Sequence, residues 1–583
     1  MAFRPRNRAS ATGRPSSPKP VPPDSSSPPA FYYLSNFERA LAWLVERYDD
    51  VLDADERAFV AAFGALPRAS RALLVRMLMR KGPVFRASKL VYDEIGCPCA
   101  AAAPLAELGW IDPEPLLALD ELFALATKPE LRGAFPGASA GGAIRKADWL
   151  DALRASHEGA RPWAQWLPSI DDRVLRVTVG ALCDRLRLMF FGNLHQDWSE
   201  FVLADLGLLQ YETVAFEPSS RAFQRRDDVD AYLQLHACRE QLDLWPGDAP
   251  LAPLVAVAAG IDCGNAWLAM RRAKLTFAIG QACERRADWD GALAAYASSA
   301  WPGSRQRRVR VLERCGRFDA ALALADDAMR TPENDAQAQQ IARMLPRLRR
   351  RVGLPAARAT IAPAIPRDCI ELAPPGAPYP VEYVARDHLS RADAPVFYVE
   401  NALINSLFGL LCWEPVFAAV PGAFFHPFQR GPADLHAPDF RARRAAQFDA
   451  CLAQLDGAQY RDTIRRHYAQ KMGVQSPFVF WGALDDALLE HALACLPAEH
   501  LRLWFERLLD DVRGNRSGLP DLVRFWPGER RYELIEVKGP GDRLQDNQIR
   551  WLDYCVRHRM PVRVLDVRWA DAAPARKGEE ALT

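Results

Sequence analysis

Gly518-Leu519-Pro520-Asp521-Leu522-Val523-Arg524-Phe525-Trp526, then Pro527-Gly528-Glu529, then Arg531-Tyr532-Glu533-Leu534-Ile535-Glu536-Val537-Lys538-Gly539, is the stretch from which the C-terminal fold can be read. Two apolar runs flank a Pro-Gly turn, which predicts a β-hairpin with Asp521 at the start of its first strand. Side chains alternate across a strand, so Glu536 and Lys538 share a face, and Asp521 approaches that face from the neighbouring strand. Downstream, Gly539-Pro540-Gly541-Asp542-Arg543-Leu544 leads into a helix carrying Gln548, Trp551 and Leu552, and then into a strand over 562–567. Strand, strand, helix, strand predicts an α/β domain with a mixed sheet covered by helices.

Two carboxylates and an ammonium gathered at one point of a strand pair are costly unless something offsets the negative charge, and a divalent cation does so. Oxygen ligands with retained waters suit Mg²⁺ or Mn²⁺. Such an ion polarises a phosphoryl oxygen and activates a water, while Lys538 orients that water and offsets developing charge, an arrangement suited to phosphodiester hydrolysis. The same letters also fit a plain hairpin whose Asp caps a turn and whose Glu and Lys pair on the surface.

The remaining sequence sets the context. A chain of 583 residues exceeds one hydrophobic core and predicts three or four domains. Its composition, 49% hydrophobic and 25% charged with abundant Ala, Leu and Arg, leans towards helix, so a mainly α multidomain protein is expected. The 74 Lys and Arg are balanced by 73 Asp and Glu, so any nucleic-acid contact must use local patches. No window offers the roughly 18 consecutive apolar residues of a membrane span, and no signal-peptide core is seen, so an intracellular protein is expected. The 12 cysteines lack paired CxxC spacing, which argues against a zinc module, and Cys97 and Cys99 are expected to be buried thiols.

Residues 1–30, rich in Pro, Ser and Arg, predict a disordered tail. Residues 31–210 show helical periodicity, as in Phe37, Leu41, Leu44 and Val45. Between Leu66 and Tyr92 stand Arg68, Arg71, Arg76, Arg80, Lys81, Arg86 and Lys89 with no intervening acid. They read either as a phosphate-binding patch, with Arg76, Arg80, Lys81 and Arg86 as candidates, or as a solvated face.

In 211–372, Trp289-Asp290-Gly291-Ala292-Leu293 recurs as Phe318-Asp319-Ala320-Ala321-Leu322, which suggests stacked helical hairpins of tetratricopeptide type. The Pro-rich run from Ala373 to Pro378, with Pro363, Pro366 and Pro380, reads as a linker into a last domain over 380–583.

The motifs Arg513, Gly518-Leu519-Pro520-Asp521, Glu536-Val537-Lys538-Gly539-Pro540, Asp542-Arg543-Leu544, Gln548 and Trp551 closely resemble the virus-type replication-repair nuclease (VRR-NUC) domain of the PD-(D/E)xK superfamily. Further upstream, the stretches 408–414 and 420–429 resemble the approach to the catalytic core in the Fanconi-associated nuclease family. Arg80-Lys81-Gly82-Pro83-Val84-Phe85-Arg86 resembles the start of that family's DNA-binding region.

The resemblance implies a SAP-containing N-terminal DNA-binding part and a nuclease that cuts 5′ flaps, trims DNA 5′ to 3′ and acts in interstrand crosslink repair. It implies branched or flapped duplex DNA as partner and, for a bacterial member, a cytoplasmic, nucleoid-associated protein; a eukaryotic member would be nuclear. By the same resemblance Asp521, Glu536, Lys538 and Glu400 are catalytic, and Glu400, Asp521, Glu536 and the Val537 carbonyl hold the metal. Arg513 and Gln548 join the DNA contacts.

Read from the residues alone, Glu400 equally fits a first-turn helix charge. Two departures stand out. No ubiquitin-binding zinc finger is evident, and Asn547 stands where the vertebrate pattern has a Lys for a 5′ phosphate. The rival readings are a restriction-type or Holliday-junction nuclease, and a helical-repeat scaffold with a decayed catalytic domain.

Overall fold

The computed structural model describes residues 30–135, 145–198, 209–247, 249–355, 364–375 and 379–570, so the predicted tail over 1–30 lies, apart from Ala30, outside the described residues. The first helices are Tyr32–Tyr48, Ala54–Ala65 and Arg68–Leu78. Their apolar faces meet around Phe37, Leu44, Phe59, Phe63 and Leu73, all buried. Asp53 starts the second helix by accepting from Glu56 N while Glu56 caps Asp53 N in return, a reciprocal box that satisfies two backbone donors.

This half is not all helix. Strands β1 (Val84–Arg86), β2 (Ile111–Asp112) and β3 (Val174–Val177) form a small antiparallel sheet in the order β1-β3-β2. They are too short to show a readable alternation. Beside them a separate core of Leu122, Phe123, Trp149, Trp163 and Trp166 lies under helices Leu119–Leu125, Lys128–Ala134 and Lys146–Arg154. Cys97 is exposed and Cys99 half-buried, contrary to expectation, because they flank the start of the surface helix Pro98–Glu107.

The helical-repeat region stacks Ala266–Arg285, Trp289–Ala297, Ser304–Arg314, Phe318–Arg330 and Asp335–Arg351. The two related motifs, at Trp289 and Phe318, each open the second helix of a hairpin. Close packing needs a small residue here: a Cβ on Gly280 would lie 2.7 Å from the Tyr296 ring. Many arginines of this region pair within it, as Arg307 does with Glu284 and Arg347 with Glu313.

The last domain combines a helical layer with a five-stranded mixed sheet, order β4-β8-β7-β6-β5, built from β4 (Arg367–Leu372), β5 (Val396–Tyr398), β6 (Leu522–Trp526), β7 (Arg531–Lys538) and β8 (Val562–Trp569). The predicted hairpin is β6–β7, antiparallel, with Arg530 closing the turn at φ 50°. The helix Asp546–Arg557 carries the chain back so that β8 runs parallel to β7.

One boundary needs correction. β4 pairs in parallel with β8 as an edge strand, so the domain begins before the Pro-rich run and not after it at 380. That run is an internal loop leading to helix Val381–Leu389, and its Gly376-Ala377-Pro378 part lies outside the described residues.

The domains interlock. Gly422 N donates to Ser220 O, Phe425 joins the N-terminal core, and His426 stacks on Phe190 at 5.4 Å. The family-like stretch over 420–429 therefore anchors the last domain to the first. Glu212 accepts from Trp413 Nε1 at 2.8 Å and pairs with Lys471 at 2.8 Å, strapping the connecting segment across the same domain.

Candidate active site

The strand register decides what meets what. Leu522 pairs with Ile535, which brings Asp521, one residue before β6, level with Glu536 on β7. Asp521 Oδ2 accepts from Val537 N at 2.8 Å, so the carboxylate is held against the strand that carries Glu536 and Lys538. On its other side Asp521 O accepts from Val399 N at 2.8 Å, which ties the end of β5 to the same point. Gly518 makes the approach possible. Its φ of 90° is left-handed, and an added Cβ would lie 2.7 Å from the backbone of Asn547.

Asp521 is 5% exposed, Glu536 is fully buried and Lys538 is 8% exposed. Burial pushes the Asp521 carboxyl well above its usual range, and the negative charge of Glu536 pushes it further; the Val537 N–H and Lys538 oppose. Glu536 is likewise raised, first by burial and then by Glu400 and Glu382, against the pull of Lys538. Lys538 Nζ lies 2.7 Å from Glu536 Oε1, yet neither Glu536 oxygen has a hydrogen bond of proper geometry.

A buried carboxylate left short of partners is expensive, and two side by side are more so. One ammonium does not balance two carboxylates, and a hard divalent cation with oxygen ligands fits the deficit. Thus the residues present suit a divalent metal.

Glu400 sits between β5 and helix Leu403–Leu411, outside the first helical turn in which the sequence alone allowed it. It is exposed, and its charge is felt by both Asp521 and Glu536. Among the described residues no three His, Cys, Asp or Glu side chains already form a metal-sized cluster, so the carboxylate pair is the preformed part of the site. Glu382, on the helix after the Pro-rich loop, also projects its charge on Glu536. No sequence signal marked it, because only β-sheet closure brings 382 near 536.

Gln548 lies in the first turn of Asp546–Arg557, where its Oε1 caps Gln545 N at 2.8 Å. Asn547 beside it donates to Ser517 Oγ at 3.2 Å, on the loop leading to Asp521. Arg513 is exposed, its guanidinium 5.5 Å from the Trp301 ring. The two line a cavity of about 800 Å³ between the helical repeats and the last domain.

The N-terminal patch is smaller than its sequence suggested. Arg86 is 7% exposed and pairs with Asp172 at 2.7 Å and Glu130 at 2.8 Å. Arg76 pairs with Glu94 at 2.8 Å and lies over the Tyr33 ring, and Arg71 pairs with Glu38. Acids from outside the run thus pair with Arg76 and Arg86: Glu94 from just beyond it, Glu130 and Asp172 from farther along the chain. Arg80, Lys81 and Lys89 stay on the surface, Arg80 spanning the loop to Lys89 O and Tyr92 Oη.

Comparison with known proteins agrees with this layout. Family models match at 31–112 (FAN1, HTH domain), 116–166 (Fanconi anemia-associated nuclease SAP domain) and 456–569 (VRR-NUC domain). The chain is 54% identical over 551 residues to the Fanconi-associated nuclease 1 homolog of Pseudomonas aeruginosa, covering 94% of this chain and 98% of that one. It is 31% identical over 180 residues to Fanconi-associated nuclease 1 of Homo sapiens, covering 30% of this chain and 18% of that one. The crystal structure of paFAN1 bound to 2nt 5′flap DNA with gap superposes with a TM-score of 0.87 at 54% identity, covering 94% of this chain and all of that one.

Proposed function

The chain belongs to the Fanconi-associated nuclease family, and on that premise we propose that it is a structure-specific DNA nuclease that hydrolyses phosphodiester bonds at 5′ flaps, with its active site at Asp521, Glu536 and Lys538. The observation that carries this is the buried Asp521–Glu536 pair, held together by the β6–β7 register and left without enough positive charge. The same site speaks against a decayed scaffold, since a costly carboxylate pair is kept intact. The flap substrate rests on the relative crystallised with 5′flap DNA.

Asp521 and Glu536, with Glu400 and the Val537 carbonyl, would hold Mg²⁺ or Mn²⁺. The ion would supply Lewis acidity to the phosphoryl oxygen and make a water more acidic. The chain's own part is positional. Val537 N–H fixes the Asp521 carboxylate. Lys538, nearly buried, presents an ammonium beside the reacting phosphate that orients water and offsets charge growing on the oxygens. Arg80, Lys81, Arg513 and Gln548 are the proposed DNA contacts. Interstrand crosslink repair, 5′-to-3′ trimming and a cytoplasmic, nucleoid-associated location complete the reading for a bacterial member.

The deciding experiment incubates a labelled 5′-flap duplex with the protein and Mn²⁺, Mg²⁺ or EDTA, beside a Holliday junction and a plain duplex. Cation-dependent cutting near the flap base supports the reading. Equal cutting of all three substrates, or cutting in EDTA, overturns it.

A further inference from the structure

Glu400 is the one proposed ligand that the fold does not bury, so something must keep it in place. It stands on a turn, faces solvent on one side, and is repelled by Asp521 and Glu536. A free glutamate in that position has many rotamers and an electrostatic reason to choose those pointing away.

Two tethers oppose this. The Tyr398 hydroxyl donates to Glu400 Oε2 at 2.5 Å, and Asn401 Nδ2 donates to Glu400 Oε1 at 3.3 Å. Both come from segments bonded to the Asp521 loop. Tyr398 pairs in register with Leu522, the residue after Asp521, and Val399 N donates to Asp521 O. Asn401 accepts from Leu519 N at 3.2 Å, with its backbone in the left-handed region at φ 53°. The Tyr398 ring is itself held by Tyr383, stacked at 4.8 Å with planes 27° apart.

We propose that Tyr398 is a positioning residue for the third cation ligand: its hydroxyl holds Glu400 beside the Asp521–Glu536 pair, and Tyr383 holds Tyr398. The inference rests on the reading of Glu400 as a metal ligand. The residue type is what the task needs. A phenol donates a hydrogen bond without bringing a positive charge, so it restrains the carboxylate without competing with the cation, as Arg or Lys would. Hydrogen-bond partners of metal ligands act in this manner, and their loss costs about 10–100-fold in metal affinity.

The test measures Mn²⁺ binding to the full-length protein without DNA, by electron paramagnetic resonance, alongside the Mn²⁺ dependence of flap cleavage. Tyr398→Phe keeps the ring and its stack and removes only the donor. Its Mn²⁺ affinity should fall by about tenfold or more, the Mn²⁺ needed for half-maximal cleavage should rise in step, and saturating Mn²⁺ should restore most of the rate. Tyr383→Leu, which keeps the hydroxyl but frees the ring, should give a smaller shift in the same direction. In a Glu400→Gln background Tyr398→Phe should change nothing further. Unchanged affinity in Tyr398→Phe beside a clear loss in Glu400→Gln overturns the positioning role alone, as do independent, additive losses in the double variant. Unchanged affinity in Glu400→Gln overturns the ligand reading on which it stands.

Discussion

Arg343, on the last helix of the repeat region, grips Asp546 at the head of the helix that carries Asn547 and Gln548, with two N–H···O contacts of 2.7 Å. Gln340 reaches the same carboxylate at 3.3 Å, and Arg550 reaches back to Gln339 at 2.8 Å. The join between the repeats and the site's flanking helix is thus polar, and it borders a cavity.

A polar, half-exposed join is weak and salt-sensitive. Arg343→Ala should cost no more than about 1 kcal/mol of stability, because both partners remain partly in water. Thermal unfolding at low and high salt checks this: the difference between wild type and variant should shrink as salt rises. A large, salt-independent loss would mean that the join is held by packing instead.

The carboxylate pair should show a conflict between stability and function. Asp521→Asn keeps an oxygen to accept from Val537 N while removing one of two crowded charges. In EDTA it should be more stable than wild type, by on the order of 1 kcal/mol in unfolding free energy. Its flap cleavage should fall by at least about a hundredfold, with flap binding retained. Lys538→Ala should be similarly inactive yet still bind Mn²⁺; a variant that loses the ion would give Lys538 a different role.

At the N-terminal surface, two kinds of arginine should separate. Replacing Arg80, Lys81 and Lys89 by Ala should leave folding intact and flatten the salt dependence of DNA binding, by nearly one unit of log-log slope for each lost phosphate contact. Arg86→Ala should instead destabilise that region by about 1–3 kcal/mol, since Asp172 and Glu130 both lose their shared cation. Limited proteolysis distinguishes the two outcomes.

His426 makes the seam between the first and last domains acid-sensitive. Burial against Phe190 and Phe191 lowers its pKa to about 3, against about 6.5 when unfolded. Below pH 6.5 the unfolded chain therefore binds a proton that the folded one refuses, so stability falls as pH drops through 6.5 towards 3. Between pH 7 and 5 this group alone should remove about 2 kcal/mol. Urea unfolding at both values should show a smaller loss in His426→Gln than in wild type.

Asn547 donates to Ser517 and packs on Gly518, so one donor of its neutral amide is already engaged. A 5′ phosphate should then be held weakly, because an amide lacks the charge that makes phosphate contacts strong. Flaps ending in 5′ phosphate or 5′ hydroxyl should be cut at similar rates by wild type and at more different rates by Asn547→Lys. A strong wild-type preference that disappears in Arg513→Ala would show a working pocket without the lysine.

The sequence by itself determined the hairpin, its turn, the shared face of Glu536 and Lys538, and the helix and strand that follow. These are consequences of two-residue alternation, Pro-Gly chemistry and apolar periodicity, all of which act over a few residues. It also marked the paired motifs at Trp289 and Phe318, because each opens the same local unit.

Only the tertiary structure decided which charges are free. Arg86 looked unopposed because Glu130 and Asp172 lie far along the chain; β1–β3 pairing brings Asp172 beside it, and helix Lys128–Ala134 supplies Glu130. β4 fell within the expected repeat region over 211–372 because an exposed six-residue edge strand carries no clear pattern until β8 pairs with it. Asp521, Glu536 and the tethered Glu400 were legible as letters. Their burial, their mutual repulsion and the hydroxyl of Tyr398 arise from packing across more than a hundred residues, and a Coulomb energy depends on distance in space and not on position in the chain.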